Sequence, residues 1–431
     1  MALAVKRLRL GALVGAALLW SVAGWAQGLP KTTPAKVGFS AERLERVDRA
    51  LQDVVDSGEF AGIAFAAARH GKLFYHYQAG ARDLAADRPI ARDTLYRIYS
   101  MTKPVTGVAL MMLYEEGKWR LDDPVAKHVP AFADLMVHDG VDTDGKAVLV
   151  KPARAMTMAD LMRHTAGFSY GYFSDTPVDR LYQEDHPLNA ATLPAMIDRL
   201  AQLPLLFQPG AAWHYSVAVD IQGHIVEKLS GQSLADFFRD RIFEPLGMTD
   251  TGFYVPAAAQ DRFAALYVMD GETKALKPVA SGQFGARDYR EPPAMPSGGA
   301  GLVSSLGDYL RFAQMLLNGG ALDGARLLSP RTVALMAADH LPENLGPPPG
   351  WGLEPGLGFG LDVAVITDPV KAGTLASRGS YFWGGAAGTW FWVDPAADIV
   401  AVGMVQRLGE KPNMHRATAT ALYQALIDPE R

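Results

Sequence analysis

Apolar residues recur along this chain with two different spacings, and each spacing predicts one kind of secondary structure. A spacing of three or four residues places side chains on one face of a helix, whereas short apolar runs or alternation favour strands. The first helical pattern follows Ser40, a residue type that caps helix N-termini well. Its apolar positions are Leu44, Val47, Leu51 and Val54. We therefore expect a helix near the start of the chain that packs against a sheet.

The strand patterns lie near both ends of the chain. Residues 61–68 and 72–78 are apolar runs separated by a short turn that ends in Gly71. Near the other end, residues 388–393 and 398–405 are apolar runs joined by a polar turn. Runs separated by such turns are typical of β-hairpins. We therefore predict two antiparallel hairpins.

The middle of the chain has a different character. It lacks sustained alternation and contains short helical patterns, such as 157–163 and 221–229. A chain of this length also usually divides its core into two parts. We therefore predict a helical lobe at about 121–295, inserted into a sheet lobe formed by about 37–120 and 296–431.

A last helical pattern closes the chain, between about Asn413 and Ile427. It places four apolar residues on one face: Ala417, Ala421, Leu422 and Leu426. We expect this helix to cover the sheet together with the first helix. The predicted fold class is therefore α+β, an antiparallel sheet flanked by helices with an inserted helical lobe.

The composition narrows the possible functions. The chain has 431 residues, of which 49% are hydrophobic and 20% charged, and no basic tract suggests a nucleic-acid partner. It contains no cysteine, which excludes disulfides, a lipid-modified cysteine and thiolate catalysis. The ten histidines show neither His-x-His nor His-Glu-x-x-His spacing, so we expect no metal and no other cofactor.

The N-terminus matches a secretory signal peptide. Three basic residues are followed by an apolar run from Leu10 to Ala23 and by the small residues Gly24 and Ala26. Cleavage after Ala26 would leave residues 27–431 and change the formal net charge from −5 to −8, because three positive charges are removed. The run is short for a membrane span, so a periplasmic or secreted protein is favoured over one with an uncleaved anchor.

Candidate chemistry begins at Ser100 and Lys103, which lie three residues apart where a helical pattern starts. This spacing places both side chains on one helical face. The positive end of the helix dipole and partial burial both disfavour an ammonium there, and a neutral lysine accepts the proton of a serine hydroxyl. The pair therefore indicates Ser-x-x-Lys nucleophilic catalysis. Tyr215, which follows a Pro-Gly turn, is a candidate partner to relay the proton to a leaving group.

A second serine competes for the role of nucleophile. The stretch Gly167-Phe168-Ser169-Tyr170-Gly171 matches the nucleophile elbow of α/β hydrolases, but that motif needs a strand before it and a helix after it. Here it follows a predicted helix and His164. We therefore interpret Ser169 as structural, and we expect His164 to bond to the backbone rather than to catalyse.

Three motifs together make a resemblance specific: Ser100-Met101-Thr102-Lys103, Tyr215-Ser216 and Trp383-Gly384-Gly385. Their set resembles that of family VIII carboxylesterases, which belong to the serine β-lactamase and penicillin-binding-protein superfamily. The resemblance implies a β-lactamase/transpeptidase-like fold with the site in a groove at the lobe interface.

Roles for individual residues follow from the same resemblance. Ser100 would be the nucleophile, Lys103 the general base and Tyr215 the proton relay. The backbone amides of Ser100 and Ala386 would form the oxyanion hole, which suits acyl transfer. The substrate would be contacted by Trp383, Gly384 and Gly385, and by the aromatic side chain of Tyr170.

Two departures from the β-lactamase pattern bear on the substrate. Class C β-lactamases carry Tyr-x-Asn and a Lys-Thr-Gly strand, whereas this chain has Val217 and Trp383-Gly384-Gly385. We therefore predict a serine carboxylesterase acting on short uncharged esters. A β-lactamase or D-amino-acid peptidase of the same fold, or a catalytically slow penicillin-binding module, remain as alternatives. The sequence indicates no acyl-chain preference and no oligomeric state.

Overall fold

A computed structural model describes residues 28–429, apart from 145, 284–286, 344 and 347–351. The predicted signal peptide, residues 1–26, lies outside the described residues. Within the described part of the chain, no helix is both long enough and apolar enough to cross a membrane.

The described strands form one large sheet and several small ones. In chain order they are β1 (Gly62–Arg69), β2 (Lys72–Asp83), β3 (Arg88–Pro89), β4 (Leu95–Arg97), β5 (Val137–Val141), β6 (Ala147–Val150), β7 (Tyr267–Met269), β8 (Leu276–Pro278), β9 (Val303–Ser305), β10 (Ala321–Leu322), β11 (Ala325–Arg326), β12 (Leu357–Phe359), β13 (Ala364–Ile366), β14 (Tyr381–Gly384), β15 (Trp390–Asp394), β16 (Ile399–Met404) and β17 (Arg407–Leu408). The large sheet has the order β12-β13-β14-β15-β16-β1-β2-β3, and all its neighbours are antiparallel.

The helices cover both faces of this sheet. In chain order they are α1 (Ala41–Asp56), α2 (Thr102–Glu115), α3 (Val125–His128), α4 (Met158–Met162), α5 (Pro177–Glu184), α6 (Leu193–Leu200), α7 (Ala218–Ser230), α8 (Leu234–Phe238), α9 (Glu244–Leu246), α10 (Leu306–Leu317), α11 (Pro330–Met336), α12 (Pro369–Ala372) and α13 (Met414–Tyr423). A π-helical turn, Arg239–Phe243, joins α8 to α9. The predicted α+β class is therefore confirmed.

Alternate residues of the central strands belong to two hydrophobic cores. Phe65 of β1 and Trp392 of β15 pack in a core with α1 and α13, where Phe65 stacks on the Trp392 ring at 5.9 Å. Their neighbours Ala66 and Phe391 point to the other face, where α2, α7 and α10 contribute to a second core. Because both faces are buried, these strands read as continuous apolar runs rather than as alternating ones.

The first helix and both predicted hairpins are confirmed. Ser40 Oγ accepts a hydrogen bond from the Arg43 amide at 3.2 Å and so caps α1. Between β1 and β2, His70 and Gly71 have φ of 53° and 68°, the left-handed pair that a two-residue hairpin turn requires. Strand β2 continues past the predicted end to Asp83.

The closing helix differs from its prediction. It ends at Tyr423 rather than near residue 427, and Ala417 is exposed. Beyond the helix end the chain pairs with the segment before α1: the Ser40 amide donates to the Ala425 carbonyl, and the Ile427 amide donates to the Gly38 carbonyl. The buried face consists of Met414, Thr418, Ala419, Leu422 and Tyr423.

The middle segment contains more than helices. Helices α3 to α9 lie there as expected, but so do the antiparallel pairs β5–β6 and β7–β8. These strands have between three and five residues, and β6 is largely exposed, so they show no sustained alternation in the sequence. The predicted division of the chain into two lobes remains a prediction.

Candidate active site

Ser100 lies in a single 3-10 turn, Tyr99–Met101, directly before α2. Tyr99 has a φ of 42°, a left-handed conformation that is uncommon for a residue with a bulky side chain. Two contacts hold the turn: the Tyr309 hydroxyl donates to the Met101 carbonyl at 2.8 Å, and the Ile98 amide donates to the Leu302 carbonyl at 3.1 Å. The turn is therefore fixed from both ends while the Ser100 side chain stays partly exposed.

Lys103 lies in the first turn of α2 and has no solvent exposure. Its Nζ is 3.2 Å from Ser100 Oγ and donates to the Gly299 carbonyl at 2.8 Å. The same atom lies 4.5 Å from the centre of the Tyr215 ring. The amine is therefore held against the serine hydroxyl on one side and against an aromatic face on the other.

The carbonyl that receives Lys103 belongs to a turn held by two helices. Asp220, in the first turn of α7, accepts hydrogen bonds on Oδ1 from the Ser297 hydroxyl at 2.5 Å and from the Gly299 amide at 3.1 Å. Thr106 of α2 donates to the Gly298 carbonyl at 2.6 Å. The sequence did not identify Asp220 as a site residue. Two signals for it were present: its position five residues after Tyr215 and the glycine cluster at 298–301.

Tyr215 lies just before α7 and is fixed by aromatic neighbours. The Trp383 indole donates from Nε1 to the Tyr215 hydroxyl at 3.2 Å, and the two rings lie 5.3 Å apart. The Phe173 and Tyr170 rings lie 5.5 Å and 5.4 Å from the Tyr215 ring. With 6% of its surface exposed, Tyr215 is immobilised with its hydroxyl hydrogen-bonded to the strand that carries Trp383.

The turn after β14 approaches the segment before Ser100 very closely. The Gly385 amide donates to the Thr389 carbonyl at 2.7 Å. A Cβ at Gly385 would lie 2.3 Å from the Ile98 carbonyl oxygen and 2.3 Å from Thr389 Oγ1, so only glycine permits this approach. Among the described residues, no hydrogen-bond acceptor is found for the Ala386 amide, which leaves it available to a ligand.

A cavity of about 670 Å³ joins most of these groups. Its described lining includes the predicted site residues Ser100, Tyr215, Trp383, Gly384, Gly385 and Ala386. Lys103 is buried behind Ser100. Tyr170, which we predicted to contact substrate, is not among the described lining residues; it packs behind Phe173 and Tyr215 instead. Burial also raises the pKa of the Tyr170 phenol well above its ordinary value.

The competing serine is placed differently. Ser169 is fully buried, and its hydroxyl donates to Asp179 Oδ1 at 2.5 Å, lies 3.3 Å from His214 Nε2 and accepts from the Gly171 amide at 2.8 Å. This arrangement agrees with the structural interpretation, because a hydroxyl so enclosed is closed to substrate.

His164 corrects one prediction. Instead of bonding to the backbone, its Nδ1 lies 3.2 Å from the Ser216 hydroxyl. The ring is buried 4.9 Å from the Tyr215 ring, and burial, with Lys103 nearby, lowers the pKa of the imidazole well below its ordinary value. Among the described residues, no group of three or more histidine or acidic side chains is placed to hold a metal ion.

Comparison with known proteins gives a consistent result. The beta-lactamase family profile matches residues 47–425. Protein Rv1367c of Mycobacterium tuberculosis is 39% identical over 373 residues, which cover 84% of this chain and 90% of that protein. Esterase EstB of Burkholderia gladioli is 34% identical over 380 residues, which cover 84% of this chain and 89% of the esterase.

A solved structure extends the comparison to three dimensions. EstCE1, described as a hydrolase with promiscuous acyltransferase activity, superposes with a TM-score of 0.74 at 29% sequence identity. The superposition covers 89% of this chain and 99% of EstCE1. The likeness therefore spans nearly all of the fold rather than the motifs alone.

Proposed function

This chain belongs to the beta-lactamase family and is a serine hydrolase, and we propose that it cleaves short uncharged carboxylic esters through an acyl-enzyme on Ser100. The resemblance that the three motifs indicated is thereby confirmed at the level of the family. The proposal rests on one arrangement of contacts beside the cavity. Ser100 Oγ lies 3.2 Å from Lys103 Nζ, and the Tyr215 hydroxyl accepts a hydrogen bond from Trp383 Nε1.

Acylation would use these groups in order. Ser100 Oγ attacks the ester carbonyl carbon while its proton passes to the amine of Lys103, 3.2 Å away. The negative charge that develops on the carbonyl oxygen is received by the amides of Ser100 and Ala386. The bond to the leaving alcohol then breaks, and Tyr215 relays the proton to the departing oxygen.

Deacylation reverses the same steps with water. Water attacks the acyl carbonyl, its proton passes to the Lys103–Tyr215 pair, and the bond to Ser100 Oγ breaks with return of the proton to the serine. The products are the carboxylic acid and the regenerated enzyme.

Part of the cavity wall supports an uncharged substrate. The described lining includes the apolar and aromatic side chains Phe173, Leu353, Leu357, Phe382 and Trp383, together with the charged side chains Glu354, Glu410, Lys411 and Arg416. The apolar part binds acyl and alkyl groups by burial of apolar surface. Trp383 also stands where the resemblance places the lysine of a Lys-Thr-Gly strand, and an indole does not pair with a substrate carboxylate.

Two serine variants test the proposal. Ser100→Ala is expected to abolish labelling by a fluorophosphonate and to lower turnover of 4-nitrophenyl butyrate by about 10³-fold or more. Ser169→Ala is the matched control. It should keep both the labelling and the turnover, because the Ser169 hydroxyl is enclosed in the wild-type protein. Labelling of the Ser100→Ala protein would refute the nucleophile, and hydrolysis of a penicillin as efficiently as the butyrate ester would refute the substrate class.

We further propose that the protein is exported to a periplasm or secreted after removal of residues 1–26. Support comes from the N-terminal pattern of basic, apolar and small residues.

A further inference from the structure

A loop that the sequence analysis did not single out contacts the Ala386 residue. Lys411 Nζ donates hydrogen bonds to the Ala386 carbonyl at 2.9 Å and to the Gly409 carbonyl at 2.9 Å. Lys411 also lines the cavity that contains Ser100. Hydrogen bonds from a charged donor are roughly twice as strong as neutral ones, so this contact holds the carbonyl firmly.

The loop itself is anchored to the same turn. Arg407 of β17 is buried, its amide donates to the Ala387 carbonyl at 2.9 Å, and its guanidinium donates to the Glu410 carbonyl at 2.6 Å. The guanidinium also pairs with the Glu59 carboxylate. The segment 407–411 therefore keeps a fixed position relative to the turn that follows β14.

The stem of Lys411 packs on that turn as well. Gly388 has a φ of 89°, and a Cβ there would lie 3.0 Å from Cδ and Cε of Lys411. The lysine stem therefore occupies the space beside Gly388 and delivers its ammonium to the Ala386 carbonyl. Ala386 is thus restrained on both sides, by the Gly385–Thr389 bond before it and by Lys411 after it.

We propose that Lys411 is a positioning residue for ester hydrolysis. The lysine fixes the direction of the Ala386 amide and adds a positive charge behind the oxyanion hole. The inference rests on the proposed function of the site. Negative charge appears on the substrate oxygen only as the transition state forms, so this contribution changes kcat more than KM.

Substitution of Lys411 by methionine tests the role, because methionine keeps an unbranched stem and removes the charge and the donors. Lys411→Met is expected to lower kcat for 4-nitrophenyl butyrate by about 10- to 100-fold, with KM within about threefold of wild type. Affinity for a trifluoromethyl ketone analogue, which forms an oxyanion on Ser100, should fall by the same factor as kcat. Lys411→Arg should recover part of both losses.

The control is Lys371→Met on α12, an exposed lysine whose side chain is 71% accessible and is not among the described residues lining the cavity. It should leave kcat and ketone affinity unchanged. If the Lys411→Met protein does not fold, as judged by its melting transition, Lys411→Gln replaces it with the same expectations.

Two results would overturn the role of Lys411: an unchanged kcat, or a raised KM with kcat and ketone affinity unaltered. Failure of the proposed function is separate, because the wild-type enzyme would then hydrolyse no ester. An active wild type with an equally active Lys411→Met variant refutes the positioning role alone.

Discussion

Lys103 is the residue on which the proposed chemistry depends most closely. Its side chain has no solvent exposure, so its charged form loses hydration and depends on nearby polar atoms. Those atoms are Ser100 Oγ and the Gly299 carbonyl, with the Tyr215 ring beside them. A compact amine fits this space, whereas a planar guanidinium is larger and stays charged at any usable pH.

Lys103→Arg is therefore expected to lower kcat for 4-nitrophenyl butyrate by about 10³-fold or more, since the base can no longer accept a proton. Steady-state kinetics measures the effect, with the exposed Lys371→Arg as control. Turnover by the Lys103→Arg protein equal to that of wild type would remove the lysine from the mechanism.

Trp383 affects Tyr215 through one hydrogen bond. Trp383→Phe removes the Nε1 donor to the Tyr215 hydroxyl and keeps an aromatic wall, so kcat is expected to fall about tenfold, equivalent to about 1.4 kcal/mol, with little change in KM. The chain offers a matched control: Trp392 Nε1 donates to the Tyr423 hydroxyl at 3.2 Å within the other core. Trp392→Phe should lower stability without lowering kcat, and an equal loss of kcat in both variants would contradict the role of Trp383.

Helix α4 shows how one short element supports the site. Asp160, at its third position, is fully buried and accepts hydrogen bonds from Arg154, Arg163 and Thr157. Burial would raise the pKa of this carboxyl, but these bonds outweigh it and lower the pKa to about 2. The turn that follows carries His164 in a left-handed conformation, with a φ of 58°, and leads towards Phe173 at the cavity wall.

The lowered pKa of Asp160 gives stability a defined pH dependence. Because the carboxylate form is favoured by folding, its contribution is complete above about pH 5 and is lost as the pH falls through 4 towards 2, a loss of about 2 kcal/mol. Asp160→Asn should remove this part of the acid sensitivity and cost about 3 kcal/mol at pH 7, since two arginines lose a buried partner. Urea unfolding between pH 7 and pH 2 measures both effects.

The control for Asp160 is Asp236, which holds the same position in α8 behind the Ser233 cap but has a side chain that is 49% accessible. Asp236→Asn should change stability much less. An equal change in the two variants would show that capping alone, rather than the buried ion pairs, accounts for the effect.

The whole molecule brings the site together from distant parts of the chain. Ser100 and Tyr215 lie just before α2 and α7, Lys103 and Asp220 lie in the first turns of these helices, and Trp383 belongs to the central sheet. Helices α2, α7 and α10 share one core with a single face of that sheet, and this packing sets the distances between the groups.

The proposed export of the protein, with removal of residues 1–26, is tested on the complete chain. Protein purified from an exporting bacterial host should begin at or near Gln27, because the residues up to Ala26 have the pattern of a cleaved leader. Sequencing of the mature N-terminus measures this. An exported protein that keeps Met1 would show that the leader is retained.

The sequence by itself determined the features that depend on neighbours in the chain. The Ser40 cap, the turn at His70 and Gly71 and the placement of Ser100 and Lys103 within one turn require contacts over four residues or fewer, so residue type and spacing specify them. Adjacent apolar runs likewise specified the hairpins. The motif set was sufficient to indicate the family.

Tertiary structure alone decided the contacts between distant segments. The bonds from Lys103 to Gly299 and from Trp383 to Tyr215 join residues 196 and 168 positions apart, and Lys411 reaches Ala386 from a loop with no motif. The enclosure of Ser169, the early end of α13 and the position of Tyr170 behind the cavity wall were set in the same way. A hydrogen bond needs its two atoms within about 3 Å in the right direction, and between distant segments that geometry results from the packing of whole elements, which no local pattern encodes.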